Sequence, residues 1–302
     1  MIPAADTRLA ILTSLHQHSY NSFEMSEMDS ATWLPVSGGS INQTFRVCLG
    51  SKLLFVKLHQ AKYISMFEAE SAGLQALRAA RVIRVPEVYA CDSDDEHSWL
   101  IMEYITLGSH NSVSEKLFAQ QLAAMHRCIG ESFGWFRDNT IGSTPQINTI
   151  SKDWISFYRE HRLAYQLKLA QQHGFTMNLQ DKGERLMAGL HVFFKGADTQ
   201  PSLLHGDLWS GNHAVASDGN PVIFDPAVYY GDRESDIAMT ELFGGLSREF
   251  YAAYDAAYSL DAGYEVRKTL YNLYHILNHA NLFGGSYVQQ AETMMNQLLA
   301  EC

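Results

Sequence analysis

The chain has 302 residues and a formal net charge of −11, with 46% hydrophobic and 18% charged residues. At about 150 residues per domain this length suits two domains, and the apolar fraction is too high for a disordered chain. The acidic balance disfavours nucleic acid or an anionic membrane surface as a partner, and no run of about 18 apolar residues predicts a spanning helix. Four cysteines without a Cys-x-x-Cys pair indicate free thiols in a reducing cytoplasm rather than a zinc site or a disulfide framework.

The first third of the chain predicts one helix followed by short strands. Residues 1–20 have a short apolar stretch and no small-residue cleavage pattern, so they predict a helix rather than a signal peptide. The β-type runs that follow cover residues 32–36, 43–49, 53–58, 85–89 and 99–105, and a helix is predicted over about 63–80.

The character of the sequence changes after residues 104–108. Helical patterns dominate the rest, over residues 114–129, 152–173, 180–194 and from about 234 to the end, with a β segment at 201–225. We therefore predict an α+β protein with a small β-rich N-terminal lobe, residues 1–104, and a larger, mainly helical C-terminal lobe, residues 105–302. A cleft between two lobes is a common ligand site.

The densest chemical signal is the stretch His205-Gly206-Asp207-Leu208-Trp209-Ser210-Gly211-Asn212, which follows an apolar strand. Two short strands after it, joined by Ser217-Asp218-Gly219-Asn220, predict a hairpin that ends near Asp225. Such a hairpin would bring Asn212 and Asp225 together at its open end, where their oxygens suit Mg²⁺. Asp207 would stand beside them as a base. Each residue alone reads most simply as a turn former, but the Asp, Asn and Asp spacing matches phosphoryl transfer.

A second signal is Lys57, which lies inside the apolar strand Lys52–Leu58 and needs a partner if its ammonium faces inward. On the following helix Glu70 falls within about 60° of the apolar side chains, whereas Glu68 points away from them. We therefore expect Glu70 to reach Lys57 and Glu68 to face solvent. The alternative is a lysine on an edge strand that snorkels to water.

A glycine turn, Ser37-Gly38-Gly39-Ser40, lies between two predicted strands. Glycines let backbone N–H groups approach a phosphate closely, although the full Gly-x-Gly-x-x-Gly spacing is missing. The order of the motifs in the chain supports phosphate binding by this turn: glycine turn, strand lysine, helix glutamate, Asp/Asn loop and then Asp225.

This order resembles the protein-kinase-like fold, in its branch of small-molecule kinases. His205-Gly206-Asp207 would replace the His-Arg-Asp of protein kinases, and Asp225-Pro226-Ala227 the Asp-Phe-Gly. Asp236 resembles the aspartate that braces the catalytic loop in this fold, a structural role. No Ala-Pro-Glu segment is present, so a regulated protein kinase is not expected.

The closer resemblance is to the fructosamine kinase (ketosamine-3-kinase) family, and it covers nearly the whole chain. It rests on strings such as Met66-Phe67-Glu68-Ala69-Glu70, Leu204–Asn212 and Tyr230-Gly231-Asp232, together with Leu273–His279. The resemblance implies ATP-dependent phosphorylation of a sugar hydroxyl on ketosamines, the Amadori adducts of sugars with amines, and a role in deglycation repair. The acceptor would be a small ketosamine or a glycated protein lysine.

The implied mechanism is in-line transfer. Lys57, held by Glu70, contacts the α- and β-phosphates, Gly38, Gly39 and Ser40 cover them, and Asp207 orients and deprotonates the hydroxyl. Asn212 and Asp225 hold Mg²⁺, and adenine lies against the backbone of the segment Met102, Glu103, Tyr104 and Ile105.

Three further residues are candidates for binding the acceptor. Trp209 interrupts a polar loop beside the base, and an aromatic face can stack on a sugar or a cation. Asp232 and Glu234 would recognise sugar hydroxyls or the amine; the alternative is a solvated loop. Two other functions stay open: a kinase for an aminoglycoside, choline or a pentose derivative, and a non-catalytic pseudokinase that only binds.

Overall fold

The computed structural model describes residues 2–18, 28, 30–36 and 41–301. Within these ranges the chain forms two compact units. The first ends at Ser109 and also includes Val215–Asp225, and the second comprises His110–Ala214 together with the chain from Pro226 onward. None of the described helices is long and apolar enough to cross a membrane.

The first unit is built on a five-stranded antiparallel sheet with the order β1-β2-β3-β5-β4. Its strands are β1 Thr32–Pro35, β2 Gln43–Leu49, β3 Lys52–Gln60, β4 Val88–Ser93 and β5 His97–Glu103, and its helices are α1 Ala5–His18 and α2 Ile64–Ala80. The predicted strand at 85–89 is shifted, because Val85 and Pro86 precede β4.

Alternation along β3 decides which side chains face which helix. Leu54, Val56 and Leu58 are buried in one apolar cluster with Ile11 and Leu15 of α1. The residues between them point to the opposite face of the sheet, and there Lys57 meets Glu70 of α2. The strand β3 therefore buries Lys57 on the face of the sheet that α2 covers, and not at an edge of the sheet.

A hairpin from late in the sequence completes the first unit. The strands β9 His213–Val215 and β10 Pro221–Ile223 pair, and Asp218-Gly219 forms the tip, as predicted. The Ser217 N–H donates to Thr106 O and the Gly108 N–H to Val215 O, both at 2.8 Å. These bonds explain why Val215–Asp225 groups with the first unit, whereas the sequence predicted an undivided second lobe from residue 105.

The second unit is mainly helical, as predicted. Its helices are α3 Ser112–His126, α4 Trp154–Tyr158, α5 Tyr165–Gln172, α6 Met177–Gly189, α7 Glu234–Leu242, α8 Arg248–Ala257, α9 Tyr264–Phe283 and α10 Ser286–Leu299. A π-helical segment, Arg159–Ala164, joins α4 to α5. Two short antiparallel pairs, β6 Asn139–Ile141 with β7 Thr144–Gln146 and β8 Ser202–Leu204 with β11 Tyr229–Gly231, complete it.

Candidate active site

Lys57 is the centre of a buried charge cluster in the first unit. Its Nζ lies 2.7 Å from Glu70 Oε1 and 2.5 Å from Asp225 Oδ1. The side chain is 5% exposed, so the ammonium is paired in the interior rather than snorkelling to water. The predicted contact between Lys57 and Glu70 is confirmed.

The helical-face argument for Glu70 is also confirmed. Glu70 lies on the buried side of α2 beside Phe67 and Leu74, whereas Glu68 is exposed. A helix repeats every 3.6 residues, so two positions along the chain are enough to carry a side chain from the solvent face to the core face.

The pKa values in this cluster reflect burial and mutual charge. Burial alone would lower the pKa of Lys57, but the carboxylates of Asp225 and Glu70 outweigh it and raise the pKa above its ordinary value. Burial raises the pKa of Glu70 to about 7, despite the opposing charge of Lys57, and the nearby Asp225 adds to the rise. The lysine is therefore a permanent cation at neutral pH.

Asp225 stands at the end of the hairpin with an unusual backbone conformation, φ 55°. A positive φ is uncommon for a residue with a side chain, and such outliers gather at functional sites. The Asp225 side chain is 49% exposed while one oxygen bonds Lys57. A carboxylate that is part held and part accessible suits a metal ligand.

Arg84 holds the hairpin in place, a role that no sequence motif indicated. Its guanidinium bonds Glu103 at 2.7 Å and Asp218 at 3.1 Å, and its carbonyl accepts the Ile223 N–H at 3.1 Å. Arg84 therefore ties β10, which precedes Asp225, to the end of β5. Its partners lie 19 and 134 residues away, so no local pattern could have indicated them.

The predicted adenine segment begins at the end of β5. Met102 is buried, the Glu103 N–H donates to Glu87 O at 2.8 Å, and the Tyr104 N–H donates to Leu53 O at 3.2 Å. These two N–H groups are already bonded, so adenine would have to use other backbone groups of this segment, including those of Ile105. The predicted phosphate turn, Gly38, Gly39 and Ser40, lies outside the described residues.

In the second unit, the loop after β8 carries Asp207, and hydrogen bonds to the carboxylate of Asp236 hold the backbone of this loop. The Asp236 carboxylate accepts the N–H groups of His205 at 2.7 Å and Gly206 at 2.8 Å, and it contacts His126 Nε2 at 3.2 Å. Although burial opposes it, His126 is the main cause that lowers the pKa of Asp236. The structural role predicted for Asp236 is confirmed.

Gly206 has to be glycine at this point of the loop. Its φ is +83°, and an added Cβ would lie 2.1 Å from the carbonyl oxygen of Ala227. The Ala227 N–H donates to His205 O at 2.8 Å, so the two segments are in direct backbone contact. The glycine of the His-Gly-Asp sequence is therefore required by the close approach of two segments of the backbone.

Asn212 lies against the predicted base. Its Nδ2 donates to Asp207 O at 2.8 Å and to Asp207 Oδ2 at 3.1 Å. The amide nitrogen is committed to Asp207, which leaves the amide oxygen Oδ1 as the atom of Asn212 suited to bind Mg²⁺. The donor set of Asn212 and Asp225 therefore fits magnesium chemically; because the two residues belong to separate units, their convergence stays a prediction.

Trp209 lies two residues after Asp207, and its side chain is 38% exposed. An added Cβ at Gly211 would lie 2.3 Å from the indole, so this glycine is what lets the ring pack over the loop. A half-exposed indole held in one position can form the wall of a binding site. Its role in acceptor binding stays a prediction.

Asp232 and Glu234 are buried, so the solvated-loop alternative is wrong. Arg267 bonds both oxygens of Glu234, at 2.7 and 2.9 Å, and Tyr271 donates a short hydrogen bond to Asp232. Burial and the adjacent Glu234 raise the pKa of Asp232 to about 7. Their oxygens hold helices α7 and α9 together. Arg267 is 33 residues from Glu234, beyond the reach of a motif.

The strand lysine paired with a helix glutamate, the adjacent aspartate and the braced Asp/Asn loop define a phosphotransferase of the protein-kinase-like fold. A model of the fructosamine kinase family matches residues 10–301. The chain is 48% identical over 265 residues to a probable ketoamine kinase of Synechocystis, covering 87% of this chain and 89% of the relative. The chain belongs to the fructosamine kinase family.

Two further comparisons agree with this assignment. A chloroplastic protein-ribulosamine 3-kinase of Oryza sativa subsp. indica is 40% identical over 304 residues, covering 98% of this chain and 88% of the relative. A crystal structure of a Haemophilus somnus protein provisionally named fructosamine-3-kinase superposes with a TM-score of 0.85 at 30% identity, covering 96% of each chain.

Proposed function

We propose that this protein transfers the γ-phosphoryl group of ATP to a hydroxyl of a ketosamine, with Mg²⁺ as the metal. The observation that carries the proposal is the buried Lys57, paired with both Glu70 and Asp225. Two carboxylates orient one lysine, and an oriented cation is what the phosphates of a nucleotide require. The acceptor class follows from relatives named as ketoamine and ribulosamine kinases.

ATP binding is assigned to the first unit. Lys57 would contact the α- and β-phosphates while Glu70 keeps its ammonium in place. The glycine turn Gly38, Gly39 and Ser40 would cover the phosphates with backbone N–H groups. Adenine would bond the backbone of residues 102–105, other than the two N–H groups that the sheet already uses.

The metal is assigned to Asn212 and Asp225. Both offer hard oxygen ligands, and bound Mg²⁺ would neutralise charge that develops on the transferred phosphoryl group. A substitution of Asp225 by Asn removes the ligand's charge and should raise the Mg²⁺ concentration needed for half-maximal turnover. Identical Mg²⁺ titrations of the two proteins would contradict the assignment.

Asp207 is assigned as the group that orients and deprotonates the acceptor hydroxyl. Asn212 holds its Oδ2 at 3.1 Å, and the loop beneath it is fixed by Asp236, so the carboxylate has a defined position. The general base takes the proton as the hydroxyl oxygen attacks the γ-phosphorus. Trp209 would form one wall of the acceptor site. Asp232 and Glu234 are not assigned to the acceptor, because their carboxylates bond Tyr271 and Arg267.

The acceptor would be a fructose or ribulose adduct of an amine, either free or on a protein lysine, and the 3-hydroxyl is the position that the names of the ribulosamine relatives indicate. The family resemblance implies that the phosphorylated product releases the free amine, which makes deglycation repair the proposed biological role. A cytoplasmic location stays part of this proposal.

The test is ADP release with a panel of acceptors: ketosamines, an aminoglycoside, choline and free pentoses. We expect ketosamines to stimulate ADP release far above the other acceptors, and EDTA to abolish it. A stronger response to an aminoglycoside or choline would favour another small-molecule kinase. No ADP release with any acceptor, despite nucleotide binding, would favour a pseudokinase.

A further inference from the structure

Five aromatic side chains form a continuous row in the second unit, starting beside the catalytic loop: Trp209, Phe243, His279, Phe283 and Tyr287. The ring centroids of Trp209 and Phe243 are 6.4 Å apart, and those of Phe243 and His279 are 5.0 Å apart. His279 in turn lies 5.7 Å from Phe283 and 5.2 Å from Tyr287. We call this set the aromatic row.

The inner end of the aromatic row is locked to the loop that carries Asp207. The backbone N–H of Trp209 donates to Asp207 O at 3.1 Å, and Ser210 Oγ donates to Phe243 O at 3.3 Å. Phe243 follows the last residue of α7. The row therefore begins at a fixed position relative to the proposed base.

The outer end is built by the turn between α9 and α10. Gly284 and Gly285 both have φ +63°, and this turn folds α10 back so that Tyr287 packs on His279. Phe283 is 65% exposed, although it is the last residue of a long helix whose middle is fully buried. The exposed ring of Phe283 therefore extends the row to the surface, where a bound molecule can contact it.

His279 contributes a polar acceptor in the middle of the row. Its Nδ1 lies 2.8 Å from the His275 carbonyl oxygen, which can only accept, so Nδ1 carries the hydrogen. In the neutral ring, Nε2 is then a hydrogen-bond acceptor. Among the described residues no hydrogen bond to Nε2 is formed.

We propose that the aromatic row receives the amine-bearing side of the acceptor, an inference that rests on the proposed function. His279 Nε2 accepts a hydrogen bond from the ammonium of the ketosamine. The faces of the neighbouring rings attract the same cation, and Phe283 with Tyr287 contacts the group that the amine carries. The row thereby distinguishes a ketosamine from its parent sugar, and bulky adducts from small ones.

Two ketosamines with the same sugar test this: one made from glycine and one made from phenylalanine. For Phe283→Ala and Tyr287→Ala we expect kcat/KM to fall about three- to tenfold on the phenylalanine adduct and less than about twofold on the glycine adduct. His279→Asn keeps a donor for the His275 carbonyl but removes the Nε2 acceptor. It should lose about tenfold on both adducts, mainly through KM.

Phe136→Ala is the matched control, because Phe136 is an exposed aromatic residue outside the row, at 73% exposure. It should leave both kcat/KM values unchanged. Equal losses on both adducts in Phe283→Ala and Tyr287→Ala, or no loss in any row variant, would overturn the inference while wild-type turnover upholds the proposed function. A wild-type protein that phosphorylates neither adduct would overturn both.

Discussion

At the scale of single residues, Lys57 is paired with two carboxylates that differ in their surroundings. Glu70 is almost fully buried, whereas half of Asp225 is exposed to solvent. Glu70 bonds the lysine from the interior, whereas Asp225 also has an exposed surface at which the proposed Mg²⁺ would bind. We infer that Glu70 keeps Lys57 in place when Asp225 turns to Mg²⁺.

Glu70→Ala should raise the KM for ATP by about 10- to 100-fold, the usual worth of a charge-assisted hydrogen bond. The ammonium of Lys57 would then be bonded by Asp225 alone, and it would no longer be held toward the phosphates. Glu68→Ala, a substitution of an exposed glutamate on the same helix, is the control and should change KM by less than about twofold. If Glu68→Ala is the more damaging change, the assignment of Glu70 is wrong.

Asp207→Asn keeps the shape of the base and removes its charge. We expect kcat to fall by about 10²–10⁴, the range of a positioned acid–base group. Nucleotide affinity should not change, since the phosphates are assigned to Lys57, the glycine turn and Mg²⁺. Calorimetric ATP binding and kcat are measured on the same preparation. Joint loss of affinity and thermal stability would instead mean that Asp207 only supports the loop.

Contacts between residues that are close in the sequence could be predicted, and contacts between distant residues could not. The contact between Lys57 and Glu70 followed from helical periodicity, because both faces of α2 can be drawn from the sequence alone. The ion pair of Glu234 with Arg267 and the clamp of Arg84 could not be predicted, because their partners are distant and each side chain has several suitable partners elsewhere. Burial of Asp232 was missed for the same reason: its partner Tyr271 is 39 residues away.

At the scale of elements, the loop that carries Asp207 is held by a chain of buried hydrogen bonds from three helices. Tyr254 of α8 bonds His126 Nδ1 at 2.7 Å, and His126 of α3 bonds Asp236 of α7. Asp236 then accepts two backbone N–H groups of the loop. A buried hydrogen-bond network whose polar groups are all bonded is rigid, so it holds the loop in one conformation.

Asp236→Asn should lower both stability and kcat. The amide has one acceptor oxygen where the carboxylate has two, so one loop N–H would face an amide donor. We expect the free energy of unfolding to fall by about 1–3 kcal/mol, the cost of an unsatisfied buried group. Chemical denaturation measures it, and Asp181→Asn on the exposed side of α6 is the control. Unchanged stability would show that the bonds to the loop are dispensable.

Most helices and strands were predictable, because long periodic segments carry their own signal. The short pairs β6–β7 and β8–β11 were harder, since strands of three residues have no pattern of their own. The π-helical segment at Arg159–Ala164 is invisible to a test of helical period, because it sits between two ordinary helical stretches.

At the scale of the whole molecule, the second unit contains buried histidines that must stay neutral. Burial lowers the pKa of His275 to about 3 and also lowers that of His126. In the unfolded chain both have pKa values near about 6.5. Below that pH the unfolded state binds protons that the folded state does not, so acid favours unfolding.

We therefore expect His275 to reduce the free energy of unfolding by about 1 kcal/mol for each unit that the pH falls below about 6.5. The raised pKa values of Glu70 and Asp232 act in the opposite direction below about pH 7, so the test compares wild type with a variant that lacks His275. His275→Gln should lose this contribution, so the stability of the variant relative to wild type should rise as the pH falls. Denaturation at a series of pH values, at fixed ionic strength, provides the measurement. A difference in stability between wild type and His275→Gln that stays constant from pH 7 to pH 5 would show that His275 is not buried in the neutral form.

The two-unit organisation was predicted in outline, but its membership was not. A hairpin 106 residues beyond Ser109 groups with the first unit through backbone bonds to Thr106 and Gly108. Pairing between segments so far apart leaves no trace in local sequence. The composition and the strand-then-helix order were enough to predict the architecture of a sheet unit followed by a helical unit.

The central claim is that ATP phosphorylates the sugar part of a ketosamine on this protein. The most direct test incubates the protein with ATP, Mg²⁺ and a fructose or ribulose adduct of lysine, and follows the acceptor by mass spectrometry. We expect an adduct heavier by one phosphoryl group, absent in Asp207→Asn, followed by release of free lysine. An acceptor whose mass stays unchanged while the protein hydrolyses ATP, or phosphorylates an aminoglycoside or choline instead, would contradict it.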